Sequence, residues 1–151
     1  MIAFIGIDYG SKCIGLSWGT LDLGVAVPLQ AITDYASLGQ VFEQLRRIMD
    51  EKGCDAFVIG LPLHMNGQAG MRVREVERFS VLLRQHFSLP IYFVDERLST
   101  YTAQCLVGLK KVSIKKEKRQ KRSGIVDSRA ASIILQDFLD SKNTMESLGP
   151  R

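Results

Sequence analysis

A chain of 151 residues, 46% hydrophobic and 24% charged, can bury roughly two thirds of its unfolded surface in one core but is too short for two comfortable ones, so one globular domain is expected. No apolar run approaches the roughly 20 residues of a membrane helix, and the first residues lack the basic start and small-residue cleavage site of a secretory signal, so a cytoplasmic protein without a membrane partner is the expectation. Net charge is +4, and the three widely spaced cysteines, Cys13, Cys54 and Cys105, exclude a disulfide framework or zinc knuckle and read as buried thiols.

Residues 1–8 read as a first strand, 13–18 as a second and 25–32 as a third. The short turns Tyr9-Gly10-Ser11-Lys12 and Asp22-Leu23-Gly24 make these an antiparallel meander. Leu38, Val41, Phe42, Leu45, Ile48 and Met49 then recur at helical spacing behind a possible Ser37 cap and stop near Gly53. Residues 56–60 form a continuous apolar run, as in a strand covered on both faces. A second helix carries Val73, Val76, Ser80, Leu83 and Phe87 on one stripe. Residues 91–94 read as another buried strand, followed by a helix capped by Ser99 or Thr100 and a last helix over about 125–139. This alternation predicts an α/β fold, a mixed sheet with helices on its faces, as one domain over 1–140. Residues 141–151 read as a flexible tail.

Charge is concentrated in one stretch. Between Lys110 and Gly124 lie Lys110, Lys111, Lys115, Lys116, Lys118, Arg119, Lys121 and Arg122 against the single acid Glu117. Without those eight bases and one acid, the chain keeps twelve basic and fifteen acidic residues, a net −3. A solvated charge run is one reading, polyanion binding the other. Its place directly before Asp127 favours the second, since it could hold a phosphate backbone beside a site there.

Three acidic motifs stand where apolar runs stop: Asp8 after Ile5-Gly6-Ile7, Asp95-Glu96 after Ile91-Tyr92-Phe93-Val94, and Asp127 at the start of the last helix. Carboxylates at the ends of buried strands are costly unless something positive meets them. Converging, they would make an oxygen-only site suited to Mg²⁺ or Mn²⁺. Strand parity puts Asp8 on the face of Phe4 and Gly6, but it cannot choose between Asp95 and Glu96, which point to opposite faces. Asp127 shares a helical row with Ala131, Leu135 and Leu139, so it points toward the sheet; an acid complementing the helix dipole is the alternative. The small pair Ala130-Ala131 would let this helix approach the sheet closely. His64 and His86 are too far apart for a zinc or Ser/His site. The loop Gly60-Leu61-Pro62-Leu63-His64-Met65-Asn66-Gly67 follows a buried strand, where α/β proteins place ligands.

Four segments together, Asp8-Tyr9-Gly10-Ser11-Lys12-Cys13-Ile14-Gly15-Leu16-Ser17, Gly60-Leu61-Pro62-Leu63-His64-Met65-Asn66-Gly67, Asp95-Glu96-Arg97-Leu98-Ser99-Thr100 and Asp127-Ser128-Arg129-Ala130-Ala131, resemble the successive motifs of the YqgF (RuvX) family. That bacterial branch of the ribonuclease H-like superfamily is described as a pre-16S rRNA nuclease and, earlier, as a Holliday junction resolvase. The resemblance runs over residues 2–139. It implies a ribonuclease H-like five-stranded mixed sheet, with Asp8, Glu96 and Asp127 as catalytic metal ligands, and so selects Glu96 over Asp95. Cys13, where the family often has Arg, and His64, where Asn is frequent, depart from the pattern outside the acidic triad.

The expected reaction is metal-dependent endonucleolytic hydrolysis in the 5′ processing of precursor 16S rRNA, with two Mg²⁺ or Mn²⁺ ions. Lys12, Arg97 and the basic cluster would bind phosphates without reading sequence. A DNA-junction nuclease and a non-catalytic RNA-binding assembly factor are the alternatives. No dimerisation signature stands out, so a monomer or weak homodimer is expected.

Overall fold

The structure is a computed structural model that describes residues 2–62, 69–95 and 125–148; for Ala69, 125–127 and 143–148 it describes the backbone alone. The meander is β1 (Ala3–Tyr9), β2 (Cys13–Thr20) and β3 (Ala26–Thr33). It leads into α1 (Leu38–Lys52), β4 (Ala56–Leu61), α2 (Ala69–Phe87), β5 (Ile91–Asp95) and α3 (Ile125–Leu148). The sheet order is β3-β2-β1-β4-β5. β1 to β3 pair antiparallel, whereas β1, β4 and β5 run parallel. The mixed five-stranded sheet expected from the sequence is therefore present.

Each sheet face has its own apolar layer. Ile5, Ile7, Phe57 and Ile59 pack with Val41, Phe42 and Leu45 of α1 and Val76, Phe79, Leu83 and Phe87 of α2. Phe4, Ala56 and Val58 pack with Ile134, Leu135, Phe138 and Leu139 of α3. Successive side chains of a strand alternate between faces, so the stretches of β1 and β4 that are covered on both faces, residues 3–7 and 56–60, are apolar. The amino ends of these two strands are locked by Asp55, whose N–H donates to the Ala3 carbonyl while its carboxylate accepts the Ala3 N–H, both at 2.8 Å.

Ser37 does occupy the N-cap of α1, but its side chain makes no capping hydrogen bond. Gln40 reaches back instead, its Oε1 accepting the Ala36 N–H at 2.7 Å. Gly53 ends the helix at φ 86, a conformation L side chains resist, and its N–H bonds the Met49 carbonyl. In α2 the buried stripe is Val76, Phe79, Ser80, Leu83 and Phe87, with the expected Val73 only half-buried, and Ser80 is satisfied by donating to the Val76 carbonyl at 2.7 Å.

Two expectations need correction. β5 is an edge strand with Tyr92 41% and Phe93 45% exposed, not a buried one; an apolar run of four residues reads the same in either place. The last helix also continues past residue 139 to Leu148, so residues 141–148 are helical rather than a flexible tail. No Gly or Pro interrupts them, the Ser141 hydroxyl donates to the Phe138 carbonyl at 2.8 Å, and Lys142 Nζ lies 5.4 Å from the Tyr92 ring centre and 5.5 Å from that of Phe138. The helix expected after Ser99 or Thr100 lies outside the described residues.

Candidate active site

Because β1, β4 and β5 are parallel, their carboxyl ends lie on one edge of the sheet. Ile7 is level with Ile59 and Phe93, and Leu61 with Asp95. Asp8, one step beyond Ile7, stands half-buried on this edge, opposite Gly15 of β2, which has no side chain to crowd it. Phe4 belongs to the α3 layer and Gly6 abuts α3, so Asp8, two residues further on, takes the α3 face.

The same alternation gives the face of Asp95. Val94 packs in the α3 layer and Ile91 in the opposite one, which puts Asp95 with Ile91 and Phe93 on the α1/α2 face, away from Asp8. Asp95 is thus not the partner of Asp8 across the edge. Glu96 lies outside the described residues, as do Arg97 and the cluster Lys110, Lys111, Lys115, Lys116, Lys118, Arg119, Lys121 and Arg122.

Asp127 is the third residue of α3. The next residue, Ser128, is 1% exposed and its Oγ accepts the Leu16 N–H at 3.5 Å; Ser17 Oγ donates to the Ala131 carbonyl at 2.7 Å. Leu16 and Ser17 follow Gly15, the partner of Asp8 in the ladder. The backbone at Asp127 is therefore docked on β2 beside the Asp8 end of β1. Ala131, Leu135 and Leu139, the row expected below Asp127, are each fully buried.

Lys12 is exposed on the turn leaving β1. That turn is braced by Tyr35, whose hydroxyl points at the carbonyls of Ser11 (3.3 Å) and Gly10 (3.5 Å). A Cβ at Gly10 would run into the Cys13 carbonyl oxygen. Tyr9 stacks on Phe79 with ring centres 4.3 Å apart. Burial, then Glu75, raises the Tyr9 phenol above its ordinary value; burial, then Tyr9 and Cys13, raises that of Tyr35. Both therefore remain hydrogen-bond donors at neutral pH.

Among the described residues no three His, Cys, Asp or Glu side chains gather, since of the three expected carboxylates only that of Asp8 is among them. Its hard oxygen donors, aimed at the layer whose helix carries Asp127, suit a Mg²⁺ or Mn²⁺ ion. Cys13 and Cys54 form no disulfide among the described residues and are half-buried rather than buried, and Cys105 lies outside the described residues. His86 is exposed and stacks on Phe42 with ring centres 4.8 Å apart. The supporting residues Gly6, Ser17, Tyr35 and Ser128 escape a sequence reading aimed at carboxylates and bases. The one available signal is a serine or glycine at a position where strand or helix periodicity calls for an apolar side chain.

An antiparallel meander joined to two parallel crossovers, with a carboxylate at the end of the central strand, defines a ribonuclease H-like fold. Thermus thermophilus RuvC in complex with a Holliday junction substrate is similar to it, with TM-score 0.55 and 13% identity over 95% of this chain and 96% of that one. A second Thermus thermophilus RuvC structure gives 0.54 at 13% identity, over 95% and 97%. At such identities the likeness is one of fold.

Sequence comparison is more specific. The family model described as "RuvX: Holliday junction resolvase" matches residues 2–141, and the chain belongs to this family of nucleases. A relative from Geobacillus thermodenitrificans (strain NG80-2), named "Putative pre-16S rRNA nuclease", is 43% identical over 139 residues, 91% of this chain and 97% of its own length. One of the same name from Opitutus terrae (strain DSM 11246 / JCM 15787 / PB90-1) is 38% identical over 140 residues, 91% of each chain. No helix among the described residues is long and apolar enough to cross a membrane.

Proposed function

We propose that this chain is a cytoplasmic metal-dependent endonuclease that hydrolyses phosphodiester bonds in precursor 16S rRNA, at its 5′ end, during ribosome biogenesis. The observation that carries this reading is half-buried Asp8 at the end of the central strand, facing the helix whose first turn holds Asp127. Asp8, Glu96 and Asp127 would hold two Mg²⁺ or Mn²⁺ ions. When bound, such ions lower the pKa of the attacking water and stabilise the leaving oxygen.

The chain itself supplies position and charge. Asp8 is held on a rigid central strand, so its carboxylate is oriented before substrate arrives. Lys12, on the turn braced by Tyr35, follows that carboxylate by four residues and would fix a phosphate beside it. Arg97 and the 110–122 cluster would hold flanking phosphates, adding affinity without sequence readout. No side chain needs to form a covalent bond to phosphorus.

The test is incubation of purified protein with labelled precursor rRNA and with a four-way DNA junction, each with and without Mn²⁺. Cutting of the RNA only with metal is expected. Cutting of the junction alone would favour the resolvase activity in the family description; binding without cutting would favour an assembly factor. Asp8→Asn should abolish cleavage while RNA binding stays equal or strengthens, because the change removes a metal ligand and also a charge that repels phosphate. Equal loss of binding and cleavage in a folded variant would count against a catalytic Asp8.

A further inference from the structure

We propose that Gly6 and Ser17 are positioning residues: together they form a seat that sets how closely α3 approaches the sheet, and so keep Asp127 within reach of the cation site at Asp8. The inference rests on the nuclease reading above. Gly6 and Ser17 face each other across the β1–β2 ladder on the α3 side. A Cβ built on Gly6 would collide with Ser17 Oγ, and would lie 2.8 Å from Leu135 Cβ and 3.0 Å from the Ala131 carbonyl oxygen. The helix therefore sits lower over β1 than any side chain at position 6 permits.

Ser17 turns that close approach into a defined height. Its side chain is fully buried, and its hydroxyl donates to the Ala131 carbonyl at 2.7 Å. Apolar contact alone tolerates sliding and tilting. A buried hydrogen bond of this length tolerates little of either, because losing it strands the Ser17 hydroxyl away from water. Ala131 is four residues after Asp127, about 6 Å along a rigid helix, so displacement at the seat carries into the first turn. Ser128 accepting the Leu16 N–H anchors the segment between them. A plain packing role for Ser17 makes a different prediction, in which any equal loosening of α3 has the same effect.

The comparison uses the full chain as Ser17→Ala, Gly6→Ala and Leu139→Ala. Leu139 is fully buried on the same row of α3, but about 18 Å along the helix from Asp127. Mn²⁺ affinity is read by calorimetry without RNA, cleavage turnover and RNA affinity separately, and stability by urea melts. Ser17→Ala is expected to weaken Mn²⁺ binding and lower turnover by about 10–100-fold, the range seen when groups behind a metal ligand are removed, with RNA affinity unchanged. Gly6→Ala should do the same or more wherever it folds, and Leu139→Ala should leave Mn²⁺ affinity at the wild-type value although it destabilises the chain. Wild-type Mn²⁺ affinity in Ser17→Ala, or an equal loss in Leu139→Ala, would overturn the seat. Wild-type protein that binds Mn²⁺ but cuts no RNA would reject the nuclease reading alone, with the ranking of Mn²⁺ affinities still deciding the seat. Wild-type protein that binds no Mn²⁺ would reject both.

Discussion

At Cys54, burial pushes the thiol up to about 12 from an ordinary value of 9.0, while its Sγ lies 3.1 Å from the Ala56 carbonyl. A thiol so protonated is a poor nucleophile, so thiol-trapping reagents at pH 8 should label Cys54 much more slowly in the folded protein than in urea. Stability follows the same shift. Below pH 9 the folded and unfolded chains both keep the proton and the contribution is complete; between 9 and 12 only the folded chain keeps it. Stability should then fall with rising pH by up to about 1.4 kcal/mol per pH unit from this group. The raised phenols of Tyr9 and Tyr35 act in the same direction at higher pH. Urea melts from pH 8 to 11 should show a steeper decline for wild type than for Cys54→Ala; parallel declines would assign the loss to other groups.

Among the elements, the basic segment 110–122 and α3 owe their roles to different physics. As the RNA clamp proposed above, the segment would act through charge density. Replacing Lys115, Lys116, Lys118 and Arg119 together with Gln should weaken RNA binding at all sequences and flatten its salt dependence by up to about 0.7 per lost phosphate contact for a single strand. Unchanged affinity and slope would return the segment to a solvated charge run. α3 instead depends on directional contacts. Gln136 accepts the Ala26 N–H at 2.9 Å and donates to the Gly24 carbonyl at 2.8 Å, tying the helix to the turn between β2 and β3, while Ser17 and Ser128 tie it to β2. The helical row Ala131, Leu135, Leu139 was legible from spacing alone. These polar ties were not, because a serine or glutamine has no periodic signature and its partner lies more than a hundred residues away.

Among the described residues, the sheet separates the α1/α2 layer from the α3 layer, on whose side the proposed site lies. Leu45 of α1 is fully buried on the face opposite Asp8. Leu45→Ala should cost about 2–5 kcal/mol in urea melts and leave the Mn²⁺ affinity of the folded protein unchanged. A shifted Mn²⁺ affinity would mean that the two layers are coupled through the sheet.

By itself the sequence determined the local elements and the chemistry on offer. Strand alternation, helical spacing and the Gly53 stop are short-range, and they carried the meander, α1, the inner stripe of α2 and the buried row of α3. The resemblance of its four motifs supplied the family, which sequence comparison bears out over residues 2–141. Tertiary structure decided what depends on neighbours distant in the chain. It made β5 an exposed edge and carried α3 on to Leu148. It turned Asp95 away from Asp8, because the face of a strand residue has meaning only once the layers on either side are known. It also revealed the seat at Gly6 and Ser17, since close approach of a helix to a sheet is a property of two surfaces and is written in neither one alone.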